Sequence, residues 1–268
     1  MPRLVALLLS RRWVRPAMLV ACLIVGLAAA PDQSPMSGQP AGAAPPASSF
    51  SPEQRAEIVR ILRDALKDDP SILRDAANAL QADDENRQTE ATRAAIASQR
   101  AALDANPSDP SAGNPKGDVT IVEFFDTRCP YCRHMDPTMA QFMASDPNVR
   151  LVYKDLPILG PASVLGSRAL LAAQRQGGYE KLRSAIMSDP PDATMDTIKA
   201  EAESVGLDWA QLQKDMNDPS IQQRLDANTQ LAKTLGIQGT PALVIGDTLI
   251  PGAIDQTELQ KAVANARQ

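Results

Sequence analysis

The sequence predicts an α/β domain with a helical insertion, preceded by a small all-helical domain, and three observations lead there. In the C-terminal half, short β-branched and aromatic runs alternate with helical periodicities in the order β-α-β, several helices, β-β-α. Between about residues 51 and 105, apolar residues recur at helical spacing without a strand-length run. Across the 268 residues, aromatics make up 3% and apolar residues 44%, an Ala- and Leu-dominated balance that favours helices over a sheet-rich sandwich. The net charge of -5 comes from interspersed signs, with no basic stripe to neutralise phosphates, which excludes nucleic acid as a partner.

Residues 1–30 have the form of a targeting segment. Arg3, Arg11, Arg12 and Arg15 precede an apolar run from Ala17 to Ala30 that is shorter than the ~20 residues of a comfortable membrane span. The segment is either a cleaved signal peptide or an inner-membrane anchor, and both imply a periplasmic or otherwise extracytoplasmic protein. Residues 31–50 turn to Pro, Ala, Ser, Gly and Gln, the composition of a disordered linker. Ser51-Pro52-Glu53-Gln54 then combines an N-cap serine, a first-turn proline and a capping-box glutamine. Ile58, Ile61, Leu62 and Leu66 share one face of the helix that follows, and beyond Asp69-Pro70 so do Ile72, Leu73, Ala76 and Leu80. A helical domain over residues 51–82 is too small to be stable alone, so its apolar faces need a partner. Residues 83–114 read as a helical and Pro-rich connector: Ala82, Thr89, Ile96 and Leu103 form a weak stripe spaced by seven, and the stretch Asn106 to Pro115 stops the helix.

The second domain, residues 115–268, opens with Val119-Thr120-Ile121-Val122-Glu123-Phe124-Phe125, a buried central strand by composition. Cys129-Pro130-Tyr131-Cys132 follows, and Met135, Met139, Phe142 and Met143 then recur at helical spacing. A second strand is expected at 149–153, helices from about 161 to 235, a hairpin of 242–245 and 248–250 around Gly246-Asp247, and a last helix near 256–266. Two cysteines separated by two residues at a helix start suit thiol–disulfide exchange. Cys129, at the helix N-terminus, is the attacking sulfur, because unpaired N–H groups and the helix dipole stabilise an anion there, and Cys132, one turn inside, is the resolving thiol. Arg128 and Arg133 add positive charge nearby. A static disulfide closing a four-residue loop would be a poor staple. Zinc would lack ligands, since only His134 could join the two sulfurs, whereas Cu(I) accepts two thiolates.

Through Glu123-Phe124-Phe125, Cys129-Pro130-Tyr131-Cys132 and Gly239-Thr240-Pro241 ahead of a strand, the chain from about Val119 onward resembles the DsbA-like branch of the thioredoxin superfamily. The resemblance implies a thioredoxin fold with a helical insertion. It implies that Pro241 is a cis-proline facing the sulfurs, that Thr240 offers backbone groups to a bound peptide, and that Glu123 is a buried acid assisting the resolving cysteine. Tyr131 stands between the cysteines, where many oxidases of that family carry histidine, and is grouped with Thr240 and Pro241 as substrate-facing. The helices before it, notably Ala65-Leu66-Lys67-Asp68-Asp69-Pro70, resemble the N-terminal extension of the suppressor-of-copper-sensitivity protein C family, which implies self-association through residues 51–105. The expected function is a disulfide oxidase or isomerase acting on exported protein substrates and served by a membrane redox partner. It needs no cofactor beyond the Cys129-Cys132 pair and no metal. The alternative is a copper-binding or copper-tolerance protein using the same two sulfurs.

Overall fold

Ser51 starts the first helix as its sequence prescribes. Its hydroxyl accepts the Gln54 N–H at 3.2 Å, and the Gln54 side-chain oxygen accepts the Ser51 N–H at 2.8 Å. The structure, a computed structural model, describes residues 49–188 and 193–268; the targeting segment and nearly all of the expected linker lie outside the described residues. The chain divides into two units at Asp64 and Ala65. Helix α1, Pro52–Asp68, buries none of its residues, and Ile58, Val59, Ile61 and Leu62 are exposed.

Asp69 and Pro70 break the chain, and Asp69 accepts the Ser71 N–H at 3.0 Å as α2, Ser71–Ser98, begins. The sequence predicts a helix ending near Leu80 and a separate connecting helix, whereas the structure runs them together. No Gly or Pro interrupts these 28 residues, so nothing in the backbone ends the helix before Ser98. Ile72, Leu73 and Leu80 stay exposed, while Ile96 is fully buried.

After the single turn α3, Arg100–Leu103, come β1, Ser111–Gly113; β2, Val119–Phe125; α4, Pro130–Ser145; and β3, Val149–Asp155. The insertion supplies α5, Pro161–Arg175; α6, Tyr179–Ser188; α7, Met195–Ser204; α8, Trp209–Met216; and α9, Pro219–Thr234. β4, Ala242–Ile245, β5, Thr248–Pro251, and α10, Gln256–Ala266, complete the chain. The sheet order is β1-β3-β2-β4-β5, with β2 and β3 parallel and the other pairings antiparallel. This is the thioredoxin-like sheet with an inserted helical layer.

Alternation along β2 divides the core in two. Ile121 and Phe125, with Leu151 and Tyr153 of β3, pack with α4 and the inserted helices, whereas Val122, Phe124 and Val152 pack with Ile96, Leu103, Leu231 and Leu235. The stretch read as a connector is therefore also a structural part of the sheet domain. β1 pairs with β3, the Tyr153 N–H donates to the Pro110 carbonyl at 2.9 Å, and Lys154 reaches back to the Ala102 carbonyl at 2.6 Å and to Asp109. Lys154 and Asp109 side chains are both 2% exposed, so neither charge is hydrated and each needs the other. Gly113 fits against the Val149 carbonyl in a positive-φ conformation, and a Cβ there would stand 2.6 Å from that oxygen.

Candidate active site

The loop between β2 and α4 is held by one buried carboxylate. Asp126 accepts the Arg128 N–H at 2.8 Å through one oxygen and the Ile158 and Leu159 N–H groups at 2.8 and 3.0 Å through the other. Its carbonyl accepts the Cys129 N–H at 3.0 Å. Asp126 thus fastens the turn before the cysteines to the loop after β3. The Arg133 guanidinium closes the same turn, donating to the Thr127 carbonyl at 2.9 and 3.0 Å. Tight packing secures the far side, where a Cβ on Gly166 of α5 would come within 2.6 Å of the Thr127 hydroxyl.

Cys129 occupies the N-cap of α4 with extended backbone, and Pro130 follows in the first turn, where its missing N–H removes no helical bond. Cys129 and Cys132 are free thiols within hydrogen-bonding reach of each other, and Cys132 is fully buried. Burial pushes the Cys132 thiol well above the ordinary thiol range, and the nearby Cys129 and Glu123 charges add to the rise. The Cys129 Sγ donates to the Thr240 carbonyl at 3.1 Å, across the cis Thr240-Pro241 bond that leads into β4. Tyr131 stands between the cysteines with 68% of its surface exposed. His134 is an exposed residue of α4.

Glu123 points from β2 into the interior. Burial raises its carboxyl to about 7, against the lowering pull of Arg183 and with a further push from Asp136 and Glu180. The structure therefore brings Cys129, Cys132, Thr240 and Pro241 together, keeps Glu123 within electrostatic reach of Cys132, and leaves Tyr131 at the surface. A cavity of about 600 Å³ adjoins Thr240 and Pro241, walled by Gln88, Thr92 and Arg93 of α2 and by Leu249 and Pro251 of β5.

Three residues escaped the sequence reading. Asp126 stands in the short loop ahead of the cysteines, where no periodicity singles it out. Asp155, at the end of β3, is buried, accepts the Tyr179 hydroxyl at 2.9 Å and is raised to about 7 by burial. Arg183 lies beside Glu123. Its signal was available: Tyr179, Leu182, Arg183 and Ile186 are spaced as one buried helix face, and a lone cation on such a face demands a buried acid. Among the described residues, no group of three His, Cys, Asp or Glu side chains is placed to hold a metal ion.

Two buried thiols at a helix start, Cys129 at the N-cap and the fully buried Cys132 one turn inside, facing the loop before an antiparallel strand, define a thioredoxin-fold domain of the disulfide oxidoreductase class. Residues 120–264 match the DSBA-like thioredoxin domain, and the chain belongs to that family. Residues 54–87 match the copper resistance protein ScsC N-terminal domain. A thioredoxin-like oxidoreductase from Silicibacter pomeroyi is 45% identical, with a TM-score of 0.61 over 63% of this chain and 97% of that one. A linker-deletion form of Proteus mirabilis ScsC is 28% identical, with a TM-score of 0.63 over 82% of this chain and 98% of its own. The thiol:disulfide interchange protein DsbA of Bordetella parapertussis is 27% identical over 146 residues, 53% of this chain and 69% of that protein. The chain also matches Na(+)/H(+) antiporters of Salinispora tropica and Salinispora arenicola at 24% identity, and spans only 26% of their length.

Proposed function

We propose that the protein exchanges disulfides with exported protein substrates through Cys129 and Cys132. The observation that carries this reading is the Cys129 sulfur at the α4 N-cap, 3.1 Å from the Thr240 carbonyl and backed by buried Cys132. In the oxidising direction, a client thiolate attacks the Cys129 sulfur of the Cys129-Cys132 disulfide and Cys132 departs; a second client thiolate then displaces Cys129, leaving the client oxidised and the pair reduced. A membrane redox partner restores the disulfide. In the isomerising direction, the Cys129 thiolate attacks a wrong client disulfide, holds the mixed disulfide while client thiols reshuffle, and is released by a client thiol or by Cys132.

Thr240 and Pro241 hold the client as an extended segment, with the cavity between this loop and α2 receiving its flanking residues. Tyr131 offers an exposed ring to the client beside the reacting sulfur. Glu123 serves as the proton acceptor for Cys132. The exposed apolar faces of α1 and the first half of α2 support self-association through residues 51–105, and residues 1–30 support export, cleaved or anchored.

Reactivation of ribonuclease with scrambled disulfides tests the reading. The chain from Ser51, a chain from Asp83 and the Cys129→Ser variant are compared. The shorter chain begins at Asp83 because a start at Asn114 would remove Ile96, Leu103, Asp109 and β1 from the folded domain. Reactivation by the longer chain alone marks an isomerase that depends on its helical arm. Oxidation of reduced ribonuclease by both chains without reactivation marks an oxidase. Loss of neither activity in Cys129→Ser would overturn the thiol mechanism. The ScsC match gives a second reading some ground: a Cu(I) titration of the reduced protein that saturates at one ion per pair, and blocks exchange, would favour copper handling by these sulfurs.

A further inference from the structure

α6 puts a cation where the sequence reading had only an acid. Arg183 is 4% exposed, and its guanidinium lies 4.8 Å from the Phe125 ring centroid and 4.4 Å from that of Tyr153. One of its nitrogens donates to the Asp136 carboxylate at 2.5 Å, and another stands 3.5 Å from Glu123 Oε2. Asp136 lies four residues beyond Cys132 on α4, and Glu123 lies on β2 ahead of the cysteine loop. A single side chain from the insertion therefore ties together the strand and the helix that flank the redox pair. Glu123 Oε1 is buried and has no hydrogen-bond partner among the described residues, which leaves it an acceptor without a donor.

Among the described residues, the charged and titratable groups that act on Glu123 come from three elements. Arg183 and Glu180 come from α6, Asp136 and Cys132 from α4, and Tyr153 from β3. Arg183 is the cation among them. It favours the carboxylate, whereas Asp136 and Glu180 oppose it. The Phe125 and Tyr153 rings fix the plane of the guanidinium, so its bias on Glu123 is preset by packing.

Building on the thiol–disulfide reading above, we propose that Arg183 is a positioning residue for the release step: it holds the Glu123 carboxylate ready to take the Cys132 proton as Cys132 attacks the mixed disulfide. In that step Glu123 accepts the proton from the Cys132 thiol, and the Cys132 sulfur bonds to the Cys129 sulfur. The bond from Cys129 to the client sulfur breaks, and the client departs as a thiolate with the electron pair. The cysteine pair is oxidised, the client sulfur is reduced, and Glu123 later returns its proton to solvent. No further oxidant enters.

The test is stopped-flow reaction of the reduced full-length protein with 5,5′-dithiobis(2-nitrobenzoate) as a function of pH. The first phase reports attack by Cys129, and the second reports displacement of thionitrobenzoate by Cys132. In the unaltered protein the second phase rises with a midpoint near 7. Arg183→Met raises that midpoint by about one unit or more and slows release about fivefold at pH 7, as expected from the smaller carboxylate fraction. Asp136→Asn lowers the midpoint, Arg183→Lys returns it toward that of the unaltered protein, and the first phase keeps its pH profile throughout. Shifts in opposite directions from two neighbours are not what simple loosening of the fold produces, and Asp136→Asn keeps the test open should Arg183→Met fail to fold. Midpoints that stay put, or move the same way in both variants, overturn the role of Arg183. If Glu123→Gln also leaves the midpoint in place, the acid itself is misassigned and this inference falls with it. If the unaltered protein shows no second phase, the exchange reading fails first.

Discussion

Apolar residues at the same helical spacing meet opposite fates at the two ends of α2. Ile72, Leu73 and Leu80 are exposed, Leu80 by 65%, whereas Ile96 is fully buried against Phe124 and Val152 of the sheet domain. α1 repeats the first situation with Ile58, Ile61 and Leu62. Burying a leucine or isoleucine stabilises by about 1.5–3 kcal/mol, so the domain has collected that stabilisation and the arm has not. An amphipathic pattern states that a face needs cover; it does not say what covers it. In the domain the cover comes from the same chain, and in the arm no described residue supplies it.

The largest effect expected from breaking this contrast lies at the thiols. Cys129→Ser in the domain lowers ribonuclease reactivation by about a thousandfold or more, since Cys132, the other described thiol, is fully buried and held protonated by that burial, while Leu62→Asp in the arm leaves the rate of Cys129 attack on a small disulfide unchanged. Next is the buried pair behind β3. Lys154→Met takes the buried ammonium from Asp109, leaving it Arg224 and the Asn106 amide among the described residues, and should cost about 3 kcal/mol in urea unfolding; an effect below about 1 kcal/mol would mean that the 99–113 stretch is held by other contacts.

A pH-dependent effect follows at Asp155. Burial raises its carboxyl from 3.8 to about 7, so the folded state binds this proton more tightly than the unfolded chain does. The stabilisation is complete below pH 4 and is lost as pH rises through about 7. Asp155→Asn, neutral at every pH, should match the unaltered protein near pH 4 and exceed it by on the order of 3 kcal/mol at pH 8. Equal stabilities at both pH values would contradict a buried, protonated Asp155. The smallest change sharpens the comparison: Leu62→Asp should alter unfolding free energy by no more than about 0.5 kcal/mol while reducing the mass measured by light scattering, if the arm is covered by other copies. A substantial fall in stability at constant mass would show that the arm is covered within its own chain.

What was legible from the sequence depended on range. Val119–Phe125, Cys129-Pro130-Tyr131-Cys132 and the helix after them form one contiguous run, and each element carries its own periodicity, so strand, thiol pair and helix could be read directly. The hairpin around Gly246-Asp247 and the Ser51 cap were local in the same way. β1 was not. Ser111-Ala112-Gly113 has no alternation to read, and it becomes a strand only because β3 offers an edge from forty residues away. Lys154 and Asp109 likewise meet only once the chain has folded back. Glu123 could be singled out through family resemblance, but its environment comes from α6, 60 residues later. Local pattern therefore located the thiol pair at its helix start, and long-range packing set the groups around it.

The uninterrupted run of α2 also acts as a ruler. At about 1.5 Å per residue, the exposed Ile72 lies about 36 Å along the helix from the buried Ile96. The buried end is clamped further by Arg100, which donates to the Gly246 carbonyl at 2.6 Å and to Asp247 at 2.5 Å. A rod of that length, fixed at one end in the sheet domain, converts whatever grips its other end into a set radius for the reacting sulfur. Gathering several arms would then set the local concentration of thiols around a client by geometry, with helix length as the adjustable quantity.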